Sequence, residues 1–250
     1  MSFLRAIYGQ LPDGWKPFAR RVRQVAGRVL RDAEWRRDQW VRSYFAFQMG
    51  EKEDCFKSIA YFCHVNRPMR GYYFEFGCHG ANTMRMAWKH GRHLFDWHYV
   101  AFDSFEGFPE VADIDKQEIW ARGKCATGEQ EFRRIVRAAG MPDDRLTTIK
   151  GFYDASLTPE LKSRLLPTKA VVCYIDCDLY LSTVPVLDFI VDFLQIGTIV
   201  VFDDWNCFWG DPERGERKAW AEFLAKHPHL RFAPFVAKTM SASFICTGGV

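Results

Sequence analysis

From residue 71 onward the sequence repeats one pattern, in which short apolar runs are separated by longer helical stretches. Such a pattern is typical of βα units, whose buried strands lie parallel in one sheet. Two last runs have no helix between them and indicate an antiparallel hairpin. The pattern predicts an α/β, Rossmann-like fold whose seven-stranded, mostly parallel sheet ends in that hairpin. The predicted strands are 72–76, 98–102, 146–150, 170–175, 198–202, 231–236 and 243–246.

The length of 250 residues suits one large α/β domain with an added terminal element. Residues 15–47 have apolar side chains at three- and four-residue steps, which predicts helix. Residues 1–50 also carry ten Lys/Arg against four Asp/Glu, although the whole chain has a net charge of only +3. We therefore expect a basic N-terminal helical region over 1–50 and the main domain over 51–250.

The eight cysteines are scattered, with no CxxC pair and no histidines at zinc-ligand spacing. Free thiols within apolar strands fit a reducing compartment. The sequence shows no signal peptide and no apolar run of the ~20 residues that span a bilayer. We therefore expect a cytoplasmic protein. The basic N-terminal region leaves peripheral membrane contact open, and the absence of a recognised nucleic-acid module argues against nucleic-acid binding.

Glycines or aspartates follow or end the five parallel runs, namely Gly77, Asp103, Gly151, Asp176 and Asp203. In open parallel sheets, ligands bind beyond the carboxyl ends of the strands. Gly77 and Gly80 let the backbone pass close to a ligand, and Asp103 is placed to accept both hydrogen bonds of a ribose diol. NAD would also use such an aspartate. The turn lacks the GxGxxG that a pyrophosphate requires, which favours S-adenosylmethionine.

Asp176, Asp203 and Asp204 bring three carboxylates to the ends of the fourth and fifth predicted strands. Close carboxylates repel one another, and a hard cation such as Mg²⁺ removes that repulsion. We expect these three residues to bind the metal and Asp176 to act as general base. The alternative is that Asp203 or Asp204 caps the following loop while Asp178 faces solvent.

His79, in the glycine turn, is a rival base, although it could equally bond a backbone carbonyl. Aromatic residues follow the second and fifth strands, where they could line a substrate pocket or pack in the core. These residues are Phe105, Phe108, Trp205, Phe208 and Trp209.

Several motifs together resemble the macrocin O-methyltransferase-like family, metal-dependent enzymes of the class I methyltransferase fold that methylate deoxysugar hydroxyls. They occur in the family's order over roughly residues 70–225, and DSFEGFP and DCDLYLST are the most distinctive. The similar segments are FEFGCHG (74–80), AFDSFEGFPE (101–110), LTTIKGFYDASL (146–157), YIDCDLYLST (174–183), GTIVVFDDW (197–205) and GERKAWAEF (215–223).

The resemblance implies a set of site residues that agrees with the strand-end argument. Glu75, Gly77, Asp103 and Ser104 would contact S-adenosylmethionine, and Phe152 would flank the adenine. Asp176, Asp203 and Asp204 would bind the metal, with Asp176 also the base beside the donor. Dimerisation through the N-terminal helices is compatible with this fold, so a homo-oligomer is left open.

The leading hypothesis is a metal-assisted, S-adenosylmethionine-dependent O-methyltransferase that acts on a sugar hydroxyl of a natural product, glycan or glycolipid. A catechol-type O-methyltransferase for small phenols is a second enzymatic hypothesis. The third is a non-catalytic S-adenosylmethionine-binding protein whose basic N-terminal arm engages a membrane or nucleic acid.

Overall fold

The computed structural model describes residues 13–67 and 69–250. Residues 1–12 of the predicted N-terminal region lie outside the described residues. The helices are α1 (Lys16–Val65), α2 (Asn82–Gly91), α3 (Glu129–Ala138), α4 (Tyr153–Ser156), α5 (Pro159–Leu165), α6 (Tyr180–Ile190) and α7 (Gly215–Lys226). The strands are β1 (Tyr72–Phe76), β2 (His98–Asp103), β3 (Leu146–Lys150), β4 (Ala170–Ile175), β5 (Ile199–Phe202), β6 (Arg231–Ala237) and β7 (Ala242–Gly248). Short 3₁₀ turns occupy Asp13–Trp15, Asp113–Asp115, Asp143–Arg145, Val191–Phe193 and Phe208–Gly210.

The seven strands form one sheet in the order β3-β2-β1-β4-β5-β7-β6. β1 to β5 pair in parallel, and β7 runs antiparallel to both β5 and β6. The predicted fold and its terminal hairpin are therefore confirmed. The chain direction across the sheet switches between β1 and β4, so a crevice opens beyond the carboxyl ends of these two strands.

Helices cover both faces of the sheet, which explains the nearly continuous apolar runs of the parallel strands. One face packs against the carboxyl-terminal part of α1 and against α2 and α3, and Tyr73 belongs to this side. The other face packs against α5, α6 and α7, and Phe74 and Phe76 belong to that side. Successive β1 residues thus serve opposite layers, as the two-residue strand period requires.

The structure defines the helices more closely in two places. Helix α1 continues past residue 47 to Val65 because this extension buries Phe56, Ile59 and Cys63 against the sheet. Between the third and fourth strands, the crossover consists of two short helices, α4 and α5. Helix α5 begins with a hydrogen bond from the Leu161 amide to Thr158 Oγ1, a capping signal written in the sequence as Thr-Pro.

The contacts divide the chain into residues 1–50 and 51–250. Helix α1 contributes residues to both units. Within the described residues, no helix combines the length and apolar character needed to cross a membrane. The unit 51–250 contains the whole sheet and all the predicted site residues.

Candidate active site

The turn after β1 brings the chain against the end of β4. Gly77 has φ +84, and a Cβ there would lie 1.9 Å from the carbonyl oxygen of Asp176. The Asp176 amide in turn donates to the Phe76 carbonyl at 2.8 Å. Only glycine therefore fits position 77. Gly80 has no comparable restriction, since the nearest atom to its Cβ position is Asn82 Nδ2 at 3.7 Å.

Asp103 ties the end of β2 to the same turn. Its Oδ2 accepts from the amides of Cys78 and His79 at 2.6 and 3.3 Å, and its Oδ1 accepts from the Phe105 amide at 2.6 Å. The carboxylate thus lies beside the glycine turn, as the ribose hypothesis requires. The His79 ring lies 3.3 Å from the Thr127 hydroxyl through Nδ1. It does not belong to the acidic group described below.

Three further predicted cofactor residues have different surroundings. Glu75 is fully buried, and its two oxygens accept hydrogen bonds from Tyr73 at 2.6 Å and Thr83 at 2.9 Å. Burial raises the pKa of Glu75 to about 7, although these hydrogen bonds oppose the rise. Ser104 shapes its own loop, since its hydroxyl donates to the Gly107 carbonyl at 2.8 Å. Phe152 precedes α4 and is 38% exposed.

An acidic group lies at the end of β4, which is separated in the sheet from Asp103 at the end of β2 by β1. Oxygens of Asp176, Asp178 and Asp204 all lie within 4.8 Å of one another. Asp178 has φ 60, and its Oδ1 accepts from Trp120 Nε1 at 2.9 Å. Its pKa is raised to about 7 by burial and by the charge of Asp176. Asp178 is therefore part of the acidic group and does not simply face solvent. The sequence analysis did not include it among the site residues.

Asp203 lies outside this group, although the sequence analysis placed it among the metal ligands. Its Oδ2 lies 2.5 Å from Lys52 Nζ, and its Oδ1 accepts a hydrogen bond from the Tyr174 hydroxyl. Lys52 Nζ also lies 3.6 Å from Asp176 Oδ2. Burial would lower the pKa of Lys52, but the charges of Asp176 and Asp203 raise it above its ordinary value. Lys52 therefore stays charged and neutralises Asp203.

Glu216, at the start of α7, adds a fifth carboxylate. It is 1% exposed, and its Oε2 accepts from the Asp204 amide at 3.0 Å. Burial raises the pKa of Glu216, and Asp204 adds to the rise. Asp204 Oδ2 and Glu216 Oε1 are buried without a hydrogen-bond partner among the described residues. Buried polar atoms are normally paired, so these two oxygens call for a hydrogen-bond donor or a cation.

A divalent cation fits these residues. Asp176, Asp178 and Asp204 offer oxygen atoms alone, which is the donor type that Mg²⁺ and Ca²⁺ prefer. Asp176 keeps 26% of its side chain exposed, so that a ligand can reach it. The positive charge of Lys52 compensates the negative charge of Asp203. Asp204 Oδ2, in contrast, has no hydrogen-bond partner among the described residues, so a cation would bind next to Asp204.

A small apolar cluster at this end of the sheet is formed by side chains from the loops that follow β2, β4 and β5. Trp120, Leu179 and Phe208 are buried together, and the rings of Trp120 and Phe208 lie 4.7 Å apart. Trp209 follows with φ 62 and is 99% exposed. Of the other predicted pocket aromatics, Phe105 and Trp205 pack in the two main cores. Trp209 therefore presents its whole ring to solvent from an anchored loop.

Comparison with known proteins identifies the family. The profile of the family described as Macrocin-O-methyltransferase (TylF) matches residues 73–229, more than half of the chain. The chain belongs to the macrocin O-methyltransferase family. It is therefore an O-methyltransferase, and the enzymatic prediction is confirmed. No relative is found among curated protein sequences.

Solved structures confirm the class I methyltransferase fold. The calicheamicin methyltransferase CalS11 superposes with a TM-score of 0.63 at 22% identity, covering 77% of each chain. The O-methyltransferase NovP gives 0.63 at 19% identity, covering 79% of this chain and 80% of its own. A Bacillus cereus O-methyltransferase, solved in complex with SAH, gives 0.50 at 15% identity, covering 77% and 79%.

Proposed function

We propose that this macrocin O-methyltransferase family member transfers the methyl group of S-adenosylmethionine to a sugar hydroxyl, assisted by a divalent cation. The observation that carries the proposal is the contact between the glycine turn and the acidic group. Because a Cβ at Gly77 would lie 1.9 Å from the Asp176 carbonyl oxygen, the turn expected to hold the donor adjoins the carboxylates. Donor and acceptor sites must share one crevice for methyl transfer.

The donor would lie along the turn, with its ribose at Asp103 and its methionine part near Gly77 and Gly80. Gly80 supports this placement because its Cβ position has one ordinary van der Waals neighbour, Asn82 Nδ2 at 3.7 Å, although its backbone does not need glycine. Glu75 is buried next to the turn. It accepts hydrogen bonds from Tyr73 of β1 and Thr83 of α2, and so holds together the strand and the helix that the turn connects. Phe152 would flank the adenine and Ser104 would contact the cofactor, since Ser104 follows Asp103 and the Gly151 amide next to Phe152 donates to the Asp103 carbonyl at 3.0 Å.

Asp176, Asp178 and Asp204 would hold the cation, and Asp178 replaces Asp203 in the predicted ligand set. A divalent cation in this position polarises a hydroxyl and lowers its pKa. Asp176, whose side chain is 26% exposed, would take the proton from the acceptor hydroxyl. The sulfonium already makes the methyl group electrophilic, so the residues chiefly align the oxygen, carbon and sulfur atoms.

A sugar is favoured as the acceptor by the family and by one of its structural neighbours. CalS11 is described as a TDP-rhamnose 3'-O-methyltransferase, and its apo structure superposes with a TM-score of 0.57 at 18% identity. The exposed ring of Trp209 follows Phe208, which packs on the Trp120 ring whose Nε1 donates to Asp178, and it offers an apolar platform of the kind that stacks on a sugar face.

Calorimetry tests the donor site with a matched pair of variants. Asp103→Ala should abolish S-adenosylmethionine binding because it removes the acceptor for the ribose hydroxyls. Asp96→Ala, just before the opposite end of β2, should leave binding unchanged. Wild-type affinity in Asp103→Ala would remove the ribose assignment.

An acceptor screen tests the rest of the proposal. A nucleotide-linked deoxysugar and a catechol are offered side by side, and mass spectrometry detects the gain of one methyl group. Methylation of the sugar, lost on addition of EDTA and restored by Mg²⁺, is the expected result. Methylation of the catechol alone would assign the phenol instead, and full activity in EDTA would remove the cation from the reaction.

A further inference from the structure

The amino-terminal half of α1 carries an apolar stripe. Phe18, Val22, Val25 and Val29 follow one another at three- and four-residue steps, and each is more than half exposed. At 3.6 residues per turn these positions share one side of the helix. Trp15 precedes them at the same spacing and is exposed as well.

The stripe is interrupted by Ala33 and Arg36 and resumes with aromatic residues toward the end of the 1–50 unit. Trp40, Tyr44 and Phe47 again lie three and four positions apart, and all three are exposed. Trp40 comes eleven positions after Val29, close to three helical turns, so it returns to the same side. Tryptophan, tyrosine and phenylalanine are the side chains that favour the interface between water and lipid.

The same segment is strongly basic. Residues 16–31 contain six Lys/Arg and no Asp/Glu, although the whole chain has a net charge of only +3. Arg21 is exposed next to Val22 of the stripe. An apolar stripe on a cationic helix is the composition of segments that lie along an anionic membrane surface.

Two other occupants of the stripe fit less well. A second copy of the chain would offer apolar surface, but a parallel pairing would set another six cations against the six of residues 16–31. A nucleic acid would offer negative charge without any apolar medium for the valines and aromatics. An anionic bilayer supplies both.

We infer that residues 15–47 form a membrane-surface helix that binds bilayers rich in anionic lipid, with the apolar stripe in the interface and the arginines at the headgroups. The helix lies on the bilayer and does not span it. This inference is independent of the methyl-transfer proposal, because it concerns a different unit of the chain.

Vesicle co-sedimentation of the full-length protein tests the inference. Wild type should bind phosphatidylcholine vesicles containing about one third phosphatidylglycerol, fail to bind pure phosphatidylcholine, and detach as salt screens the charges. Val22→Gln combined with Val25→Gln removes the centre of the stripe without changing charge, and should weaken binding about tenfold or more. Arg21→Gln removes one cation and should weaken binding about fivefold.

Gln24→Ala is the matched control, since it changes an exposed residue of the same helix outside the stripe and should bind as wild type. Unchanged melting of the 51–250 unit shows that each variant folds. Undiminished vesicle binding of Val22→Gln/Val25→Gln overturns the inference. So does equal binding to neutral vesicles, or a wild-type dimer in light scattering that this double variant dissociates.

Discussion

Gly77 and Gly80 stand three residues apart in one turn, yet the structure gives them different reasons to be glycine. Gly77→Ala would combine a left-handed φ of +84 with a Cβ 1.9 Å from the Asp176 carbonyl oxygen. We expect the free energy of unfolding to fall by more than about 3 kcal/mol. Gly80→Ala should change it by less than about 0.5 kcal/mol, but should weaken S-adenosylmethionine binding. Urea denaturation and calorimetry on both variants check this, and equal stability of the two would contradict it.

Glu75 gives the stability of the protein a pH dependence whose sign follows from its burial. Its pKa rises from an ordinary 4.5 to about 7 in the folded protein. Between these values the unfolded chain has already lost the proton that the folded chain still holds. The contribution of Glu75 to stability is therefore highest below pH 4.5, falls as pH rises toward 7, and is constant above.

Glu75→Gln keeps the shape of the side chain and removes this penalty. Relative to wild type, the variant should gain roughly 3 kcal/mol of unfolding free energy between pH 4 and pH 8. Thr83→Val is the companion variant: it removes a hydrogen bond that lowers the pKa of Glu75 while keeping the carboxylate, so the fall of stability with pH should become larger than in wild type. A variant-to-wild-type difference that is the same at both pH values would show that burial does not hold the proton.

At the scale of elements, the loop between β5 and α7 is anchored by packing next to Trp209. Phe208 anchors it at φ 56, and Arg214 lies over the Phe208 ring at 4.4 Å. Because Trp209 is 99% exposed, Trp209→Ala removes no packing and should leave stability unchanged. We expect KM for the acceptor to rise about three- to tenfold with kcat little affected.

Ile196→Ala is the control for this loop. Ile196 is 68% exposed but lies before the amino end of β5, at the opposite edge of the sheet. It should leave every kinetic parameter unchanged. A Trp209→Ala enzyme with wild-type KM for every methylated acceptor would remove the ring from acceptor binding.

The strands were predictable because each apolar run is buried by helices on both faces, and because parallel strands deliver their ends to one edge. The exact carboxylates were not. Asp203 and Asp204 are adjacent, and neighbouring residues at a strand end point to opposite sides. Asp203 therefore meets Lys52 of α1, whereas Asp204 meets Asp176 and the start of α7.

Two partners of the acidic cluster also escaped sequence reasoning. Lys52 reaches Asp203 across 151 positions of the sequence, and no local pattern encodes that contact. Glu216 was part of a recognised segment, but its role follows only from the docking of α7 beside β5. Asp178 enters the group through a left-handed φ of 60, a backbone state that the residue type permits but does not dictate.

At the scale of the whole molecule, repulsion among the carboxylates of the acidic cluster lowers the free energy of unfolding, and a bound cation would remove that repulsion. Asp176, Asp178, Asp203, Asp204 and Glu216 face one ammonium, that of Lys52, among the described residues. Burial raises the pKa of Asp204, and the charges of Asp178 and Asp203 raise it further. Mg²⁺ at about a hundred times its Kd should therefore raise the free energy of unfolding by about 2.7 kcal/mol.

Asp204→Asn should be more stable than wild type without Mg²⁺ and less stable than wild type with it, because the substitution removes a repelling charge and also a metal ligand. In EDTA the variant should be more stable than wild type, since one buried carboxylate is gone. In Mg²⁺ it should be less stable, since the cation loses an oxygen donor of full charge. Asp113→Asn, an exposed acidic position outside the cluster, should follow wild type in both conditions. Thermal melts of the three proteins with EDTA and with Mg²⁺ measure this crossing. Parallel shifts of all three would mean that the carboxylates hold protons and not a metal ion.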